Sequence, residues 1–198
     1  MRRLGLSWAL VALLSWVGAA AAGDPAEEFS RGTKIIGLQF GGGVQNNVEN
    51  HGRISGISFV NVEPRFSLLP LDPIGSGFLK GSLETGIEPF FQYYLTPEQA
   101  TAEGMKATLK YHFLSASPIF PYAEVTAGAA GTSLKVLEIR SSFTFILEAG
   151  AGVGYFLTDG VALNLGYRFQ HVSNGNTSRP NRGFNSDSGV LGVSFFFH

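Results

Sequence analysis

Apolar and polar residues alternate with a period of two along nearly the whole chain after residue 32. Successive side chains of a strand point to opposite faces, so this period predicts strands with one apolar and one polar face. Long helical periodicity is absent, and no repeat is longer than a hairpin. Eight segments carry the pattern: 33–42, 53–63, 80–93, 104–115, 121–130, 141–156, 160–171 and 185–197. The sequence therefore predicts an all-β fold.

Three connections stand out between these segments. Residues 64–79 contain Pro64, Pro70 and Pro73 and form the least regular connection. Thr158-Asp159-Gly160 predicts a tight hairpin turn. Pro118 and Pro121 bracket the third connection.

The two faces of each strand can be arranged in two ways. A soluble barrel or sandwich buries the apolar face, whereas a membrane barrel turns that face to lipid and fills its lumen with polar groups. The segments reach the roughly 9–11 residues that a tilted strand needs to cross a bilayer. Ionisable residues on the predicted polar face can pair in a narrow lumen: Glu84, Glu88, Lys106, Lys110, His112, Glu124, Glu148 and Arg168. These features favour the membrane barrel.

Composition and the C-terminus agree with a barrel whose outer surface meets lipid. Charged residues make up 15% of the chain, against about 25% in a typical soluble domain. The final strand ends in Phe195-Phe196-Phe197, which resembles the terminal signature of outer-membrane barrels, although His198 follows it. The predicted fold is an eight-stranded antiparallel up-and-down transmembrane β-barrel of the outer-membrane type.

The N-terminus has the three parts of an export signal. Arg2 and Arg3 precede an apolar run at 4–17, and the small residues 19–22 follow it. We expect cleavage after Ala22, which leaves residues 23–198 as a single barrel domain with its active site at 168–187. The expected destination is the outer membrane of a Gram-negative cell.

Charge and composition exclude several classes of function. The formal net charge of −1 gives no basic surface for nucleic acid. The chain has no cysteine, and its four histidines are scattered, so we expect no metal site and no cofactor. An eight-stranded barrel is filled by its own side chains and makes a poor pore. Function should therefore lie on the rim or the outer wall.

The order of the strands predicts which connections face outwards. If both termini are periplasmic, the outer connections are 43–52, 94–103, 131–140 and 172–184. The last of these is the most polar and carries most of the unusual chemistry.

His171 and Ser173 are two residues apart on one predicted strand, so their side chains share a face. An imidazole beside a hydroxyl is the pairing that nucleophilic acyl transfer requires. A third group should orient the imidazole, and both Asn185 and Asp187 lie on the matching face of the next strand. The parity of Leu165, Leu191 and Phe195 places this set on the wall that faces lipid. The spacing alone is also compatible with an ordinary polar loop.

The segments His171-Val172-Ser173-Asn174 and Pro180-Asn181-Arg182-Gly183 resemble the C-terminal signature of the PagL-type lipid A 3-O-deacylases. These are outer-membrane β-barrel esterases, and the likeness is detailed over residues 166–197. The resemblance implies that Ser173 is the nucleophile and His171 the general base. It also implies that Asn181, with backbone amides around Asn174 and Gly175, holds the oxyanion.

Asn185 departs from that family, which has Glu two residues after the glycine of the second motif. An amide can accept a hydrogen bond from histidine but cannot supply negative charge. In a serine protease the Asp-to-Asn change costs about 10⁴-fold in turnover. Three readings stay open: Asp187 substitutes, the enzyme is slow, or the barrel has lost catalysis.

The leading hypothesis is an esterase that removes the 3-O-linked acyl chain of lipid A, with lipopolysaccharide as its partner. The alternatives are a non-catalytic small outer-membrane barrel for adhesion or membrane integrity, and a secreted lipid-binding barrel of the lipocalin kind. The sequence leaves the oligomeric state open, a homodimer included.

Overall fold

Eight antiparallel strands close into a barrel in the computed structural model, which describes residues 28–114 and 118–198. The strands are β1 (Lys34–Asn46), β2 (Ser58–Leu68), β3 (Gly81–Thr96), β4 (Ala100–Phe113), β5 (Ile119–Thr132), β6 (Phe143–Thr158), β7 (Val161–Ser173) and β8 (Phe184–Phe197). Each strand pairs with the next, and β8 pairs with β1. The predicted eight-stranded fold is confirmed. The export signal predicted at 1–22 lies outside the described residues.

Four connections lie at one end of the barrel, which we call the loop end: 47–57, 97–99, 133–142 and 174–183. The opposite, terminal end carries residues 28–33 and His198. The expected outer connection 94–103 was too long, because β3 and β4 extend until only three residues separate them. The predicted turn before β7 is confirmed, and Gly160 adopts a φ of 74° there.

The boundary predicted for the second strand was wrong. Residues 64–68 belong to β2 rather than to a connection, although Pro64 interrupts the sequence pattern. The β2–β3 ladder is broken around this position, where the register sets Pro64 opposite Pro89. Proline has no N–H to contribute to the ladder, and the neighbouring strand β1 pairs with β2 without a break. The fifth strand begins at Ile119, two residues before its predicted start at Pro121.

The lumen holds a layer of paired charges. All eight ionisable residues predicted to face inwards are buried, and Glu63 and Arg65 join them. Arg65 lies 2.8 Å from Glu124, and Lys106 lies 2.7 Å from Glu63 and 2.8 Å from Glu148. Buried charges are tolerated only when paired and hydrogen-bonded. Arg65 was missed because the predicted second strand ended at residue 63, whereas Glu63 was the last residue of that predicted strand.

Apolar side chains seal the lumen on both sides of the charged layer. At the terminal end, Phe29 packs edge-on against Phe120, Phe156 and Phe196. At the loop end, a larger cluster includes Phe59, Tyr94, Ile139, Ile146, Val172 and Phe184. In the described residues, paired charges and two apolar clusters line the lumen, which favours a site outside it over a lipid ligand of the lipocalin kind.

The outer wall is apolar, as the alternation predicted. In β4, Met105 and Leu109 are exposed, while the residues that follow each of them, Lys106 and Lys110, are buried. Exposed aliphatic and aromatic side chains continue on the other strands, among them Phe40, Val60, Phe91, Val125, Leu147, Leu165 and Leu191. A wall of this kind is typical of a barrel that meets lipid. No helix in the described ranges has the length and hydropathy to cross a membrane.

Arg168 is the centre of the lumen network, and we predict that Arg168→Met destabilises the barrel. Its Nε lies 2.6 Å from Glu124, its Nη2 donates to Gln39 at 2.7 Å, and its Nη1 pairs with Glu63. Removing one partner of a buried pair costs about 3–5 kcal/mol, because the remaining charges stay buried without compensation. The measurement is the free energy of unfolding in urea from phospholipid vesicles.

The matched control is Arg140→Met, which removes an exposed arginine from the loop end. Surface changes of this kind fall within about 0.5 kcal/mol. Equal effects of the two substitutions would contradict a structural role for the lumen network.

Candidate active site at the loop end of strands β7 and β8

The register of β7 and β8 sets His171 opposite Asn185. Both side chains lie on the outward-facing side of the barrel, because the residues that alternate with them, Val172 and Ser186, point into the lumen. His171 Nδ1 and Asn185 Oδ1 are 2.7 Å apart. The amide of Asn185 thus holds the His171 imidazole against β8, near the loop end. Position 185 is where the resemblance implies a carboxylate.

Ser173 is the last residue of β7 and shares the outward face with His171. On the other side, β6 sets Phe145 opposite Ser173 and Leu147 opposite His171, and both apolar side chains are exposed. Within the described part of the chain, the Ser173 hydroxyl makes no hydrogen bond. The described residues therefore place the hydroxyl and the imidazole on one face without a hydrogen bond between them, next to an apolar wall along which an acyl chain can lie.

The amide of Asn185 bridges two groups. Its Oδ1 faces His171, and its Nδ2 donates to Glu49 Oε1 at 3.1 Å. Glu49 belongs to the 47–57 connection, and its other oxygen, Oε2, lies 2.9 Å from His51 Nε2. Hydrogen bonds from Asn185 and His51 lower the pKa of the Glu49 carboxyl below its usual value. Sequence reasoning missed Glu49, because no local motif connects it to β8.

Asp187, the other candidate for the third group, is engaged elsewhere. Its Oδ1 accepts a hydrogen bond from the Tyr167 hydroxyl, and its Oδ2 accepts one from Asn46 Nδ2 at 3.0 Å. The register sets it opposite Phe169, two pairs further from the loop end than His171. The structure therefore brings Asn185, and not Asp187, to the imidazole.

The three candidate oxyanion donors form one hydrogen-bonded turn after Ser173. Asn181 Oδ1 accepts the backbone N–H of Asn174 at 2.7 Å, and its Nδ2 donates to Asn176 Oδ1 at 3.1 Å. The Asn174 N–H is therefore occupied by Asn181 in this structure, and its role as an oxyanion donor stays a prediction. The Gly175 N–H has no partner among the described residues. The Asn181 side chain therefore orders this turn, and its amide group lies within the turn.

Gly175 and Gly183 shape the connection between β7 and β8. Gly175 has a φ of 62° and Asn176 a φ of 61°, and this left-handed pair turns the chain immediately after Ser173. Gly183 has a φ of 70° and lies against the imidazole: a Cβ there would be 3.2 Å from His171 Cε1. The left-handed backbone conformation beside the candidate site therefore favours glycine at both positions.

Glu138 ties three connections of the loop end together. Its carboxylate accepts hydrogen bonds from Ser55 Oγ at 2.6 Å and Gln45 Nε2 at 2.9 Å, and Arg182 Nη2 lies at 2.8 Å. Burial raises the pKa of Glu138, but the hydrogen bonds from Ser55 and Gln45 outweigh that effect and lower it. The 47–57 connection, which supplies Glu49, is thereby fixed relative to the loop that follows Ser173.

The fold and this site define a class: an eight-stranded barrel with an apolar wall and an outward-facing histidine–serine pair. The sequence model of the lipid A 3-O-deacylase (PagL) family matches residues 76–194. The chain belongs to this family. The matched region includes both motifs, from His171 to Asn174 and from Pro180 to Gly183.

Solved structures share the fold at low sequence identity. The outer-membrane enzyme PagL is 19% identical, with a TM-score of 0.56, over 80% of this chain and 97% of that one. Neisserial surface protein A is 20% identical, with a TM-score of 0.57, over 84% of this chain and all of that one. A comparison with curated protein sequences gave no significant match.

We predict that Gly183→Ala destabilises the protein and displaces the His171 ring. A Cβ at this position would lie 3.0 Å from Val172 O and 3.2 Å from His171 Cε1, on a backbone with a left-handed φ. A strained non-glycine residue costs about 1–3 kcal/mol. The measurements are the free energy of unfolding and the NMR signals of the imidazole.

Gly189→Ala is the control, at a glycine within β8, the strand that follows Gly183. A Cβ at Gly189 meets no atom within 4 Å, so stability and imidazole signals should stay close to those of the unmodified protein. An imidazole that is undisturbed by Gly183→Ala would contradict the packing described here.

Proposed function

We propose that the protein is an esterase of the outer membrane that hydrolyses the 3-O-linked acyl chain of lipid A. Family membership supports this substrate and this location. The observation that carries the proposal is the 2.7 Å contact between His171 Nδ1 and Asn185 Oδ1 on the outward face, with Ser173 on the same face. The acyl chain would lie along the wall at Phe145 and Leu147, so it need not leave the bilayer.

In the proposed reaction, Ser173 Oγ attacks the acyl carbonyl while His171 Nε2 takes the hydroxyl proton. The Gly175 N–H and the Asn181 amide are the donors suited to the oxyanion of the tetrahedral intermediate. Collapse of the intermediate breaks the ester bond, and His171 returns its proton to the sugar oxygen that leaves. Water then attacks the acyl-enzyme, with His171 as base, and releases the fatty acid and the serine. This mechanism uses no cofactor.

We predict that Ser173→Ala and His171→Ala each abolish release of the 3-O-linked chain and leave a folded barrel. Both side chains lie outside the lumen, so neither removes a partner from the charged network. The measurement is mass spectrometry of lipid A after incubation with each purified variant. Heat-dependent mobility on gels checks that the barrel is folded.

The choice between Asn185 and Asp187 gives a second prediction. Asn185→Ala removes the group that contacts His171, and loss of an orienting group costs about 10⁴-fold in the serine proteases. Asp187→Ala removes contacts to Tyr167 and Asn46 only, so its effect on turnover should be far smaller. The reverse order of effects would show that Asp187 orients the imidazole.

The non-catalytic barrel is the second candidate function. It is favoured by Asn185, which carries no charge at the position where the family has Glu. Intact lipid A after incubation with the unmodified protein would support this candidate and contradict the esterase.

A further inference from the structure

The amide of Asn185 has two orientations of nearly equal shape. With Oδ1 towards His171, the ring must hold its proton on Nδ1, and Nε2 keeps a free lone pair. With Nδ2 towards His171, Nδ1 must accept, and the proton moves to Nε2. Only the first arrangement leaves a base for Ser173. This ambiguity explains why an amide is a poor third group when nothing fixes its orientation.

Glu49 removes the ambiguity. An ionised carboxylate can only accept hydrogen bonds, and Glu49 Oε1 lies 3.1 Å from Asn185 Nδ2. The amide must therefore present Nδ2 to Glu49 and Oδ1 to His171, which fixes the proton on Nδ1. Asn185 itself is buried, so the contact with Glu49 is sheltered at the amide end.

We infer that Glu49 is the positioning residue of the site: through Asn185 it sets the tautomer of His171 and supplies the negative charge that Asn185 lacks. The inference rests on the proposed function for its substrate, but not for its geometry. When Ser173 gives its proton to Nε2, the imidazole becomes positive. The negative charge of Glu49, two hydrogen bonds away, then stabilises that cation.

Hydrogen bonds within the protein hold the connection that carries Glu49 in place. Asn47 closes it with two bonds to the backbone of His51, each 2.8 Å long, and His51 in turn holds Glu49. The Glu138 contacts fix the same connection to the loop after Ser173. These contacts hold the 47–57 connection in the position that places the Glu49 carboxylate against Asn185.

The first test is Glu49→Ala, assayed in detergent with purified lipid A. Because the Glu49 side chain is 47% exposed, solvent weakens its effect relative to a buried carboxylate. We expect kcat to fall about 10- to 100-fold, short of the ~10⁴-fold loss for a direct triad member, while KM changes by less than about threefold. An unchanged kcat would overturn the inference.

Val48→Ala is the control in the same connection, because the Val48 side chain is 69% exposed and cannot hydrogen-bond to Asn185 or to Glu49. Its kcat should stay within about threefold of the unmodified protein. If Val48→Ala lowers kcat as much as Glu49→Ala does, Glu49 acts through the shape of the loop, and the inference fails.

The second test places a carboxylate directly against His171 with Asn185→Asp, which keeps the shape of the side chain. Combined with Glu49→Ala, it should restore kcat at least tenfold over Glu49→Ala alone. In the unmodified background the same change sets two carboxylates within hydrogen-bonding distance, and the gain should be smaller. An equal factor in both backgrounds would show that the two residues act independently and would overturn the inference.

A third measurement needs no turnover, because it reads the tautomer of His171 directly in the folded protein. Nitrogen-15 NMR of the imidazole reports which ring nitrogen carries the proton. At a pH where His171 is neutral, the unmodified protein should show Nδ1–H, and Glu49→Ala should show a larger share of Nε2–H. The same tautomer in both would contradict the role assigned to Glu49.

A serine-directed fluorophosphonate separates this inference from the proposed function. Ser173 attacks phosphorus, fluoride leaves, and the rate reports activation of Ser173 without lipid A. Labelling that depends on Glu49, together with intact lipid A, would support the relay and contradict the substrate. Deacylation that depends on Ser173 but not on Glu49 would support the substrate and overturn the relay.

Discussion

Closure of the sheet is the constraint on which the rest of the molecule depends. Pairing of β8 with β1 leaves no open edge, so the strands can lie in lipid with their backbone groups satisfied. Eight strands enclose a lumen only wide enough for side chains. In the described residues, paired charges lie in its middle and apolar clusters lie towards its two ends. The alternation of each strand then divides the chain into a structural interior and an apolar exterior, and only the exterior and the rim are free for chemistry.

The candidate site lies where the apolar outer wall meets the rim at the loop end. Phe145 and Leu147 continue the apolar wall, while Glu49 and Glu138 come from connections at the loop end. A polar cluster on a wall that faces lipid is costly unless its members satisfy one another. His171, Asn185 and Glu49 do so in a single chain of hydrogen bonds. The site therefore combines access from the bilayer with a polar environment that the loops supply.

Most of the fold could be predicted from the sequence because the signal is local and repeated. Strand number, facing and the lumen charges follow from a period of two, and the motif at His171 and Ser173 is contiguous. The errors also have physical causes. In the sequence, Pro64 indicates the end of a strand. In the structure, the β2–β3 ladder is interrupted at that point, but strand β2 continues. The contact between the Asn174 N–H and the Asn181 side chain left no signal in the sequence, because the fold of the loop creates it.

The sequence by itself determined the barrel, the outward face of the histidine–serine pair and the missing carboxylate at position 185. Only the tertiary structure decided which group orients His171 and what lies behind it. Asn185 and Glu49 are 136 residues apart in the chain, and closure of the barrel between β1 and β8 brings them together. A contact of this kind leaves no periodicity or spacing in the sequence, because it depends on the register of the whole sheet and on how a loop folds over its end.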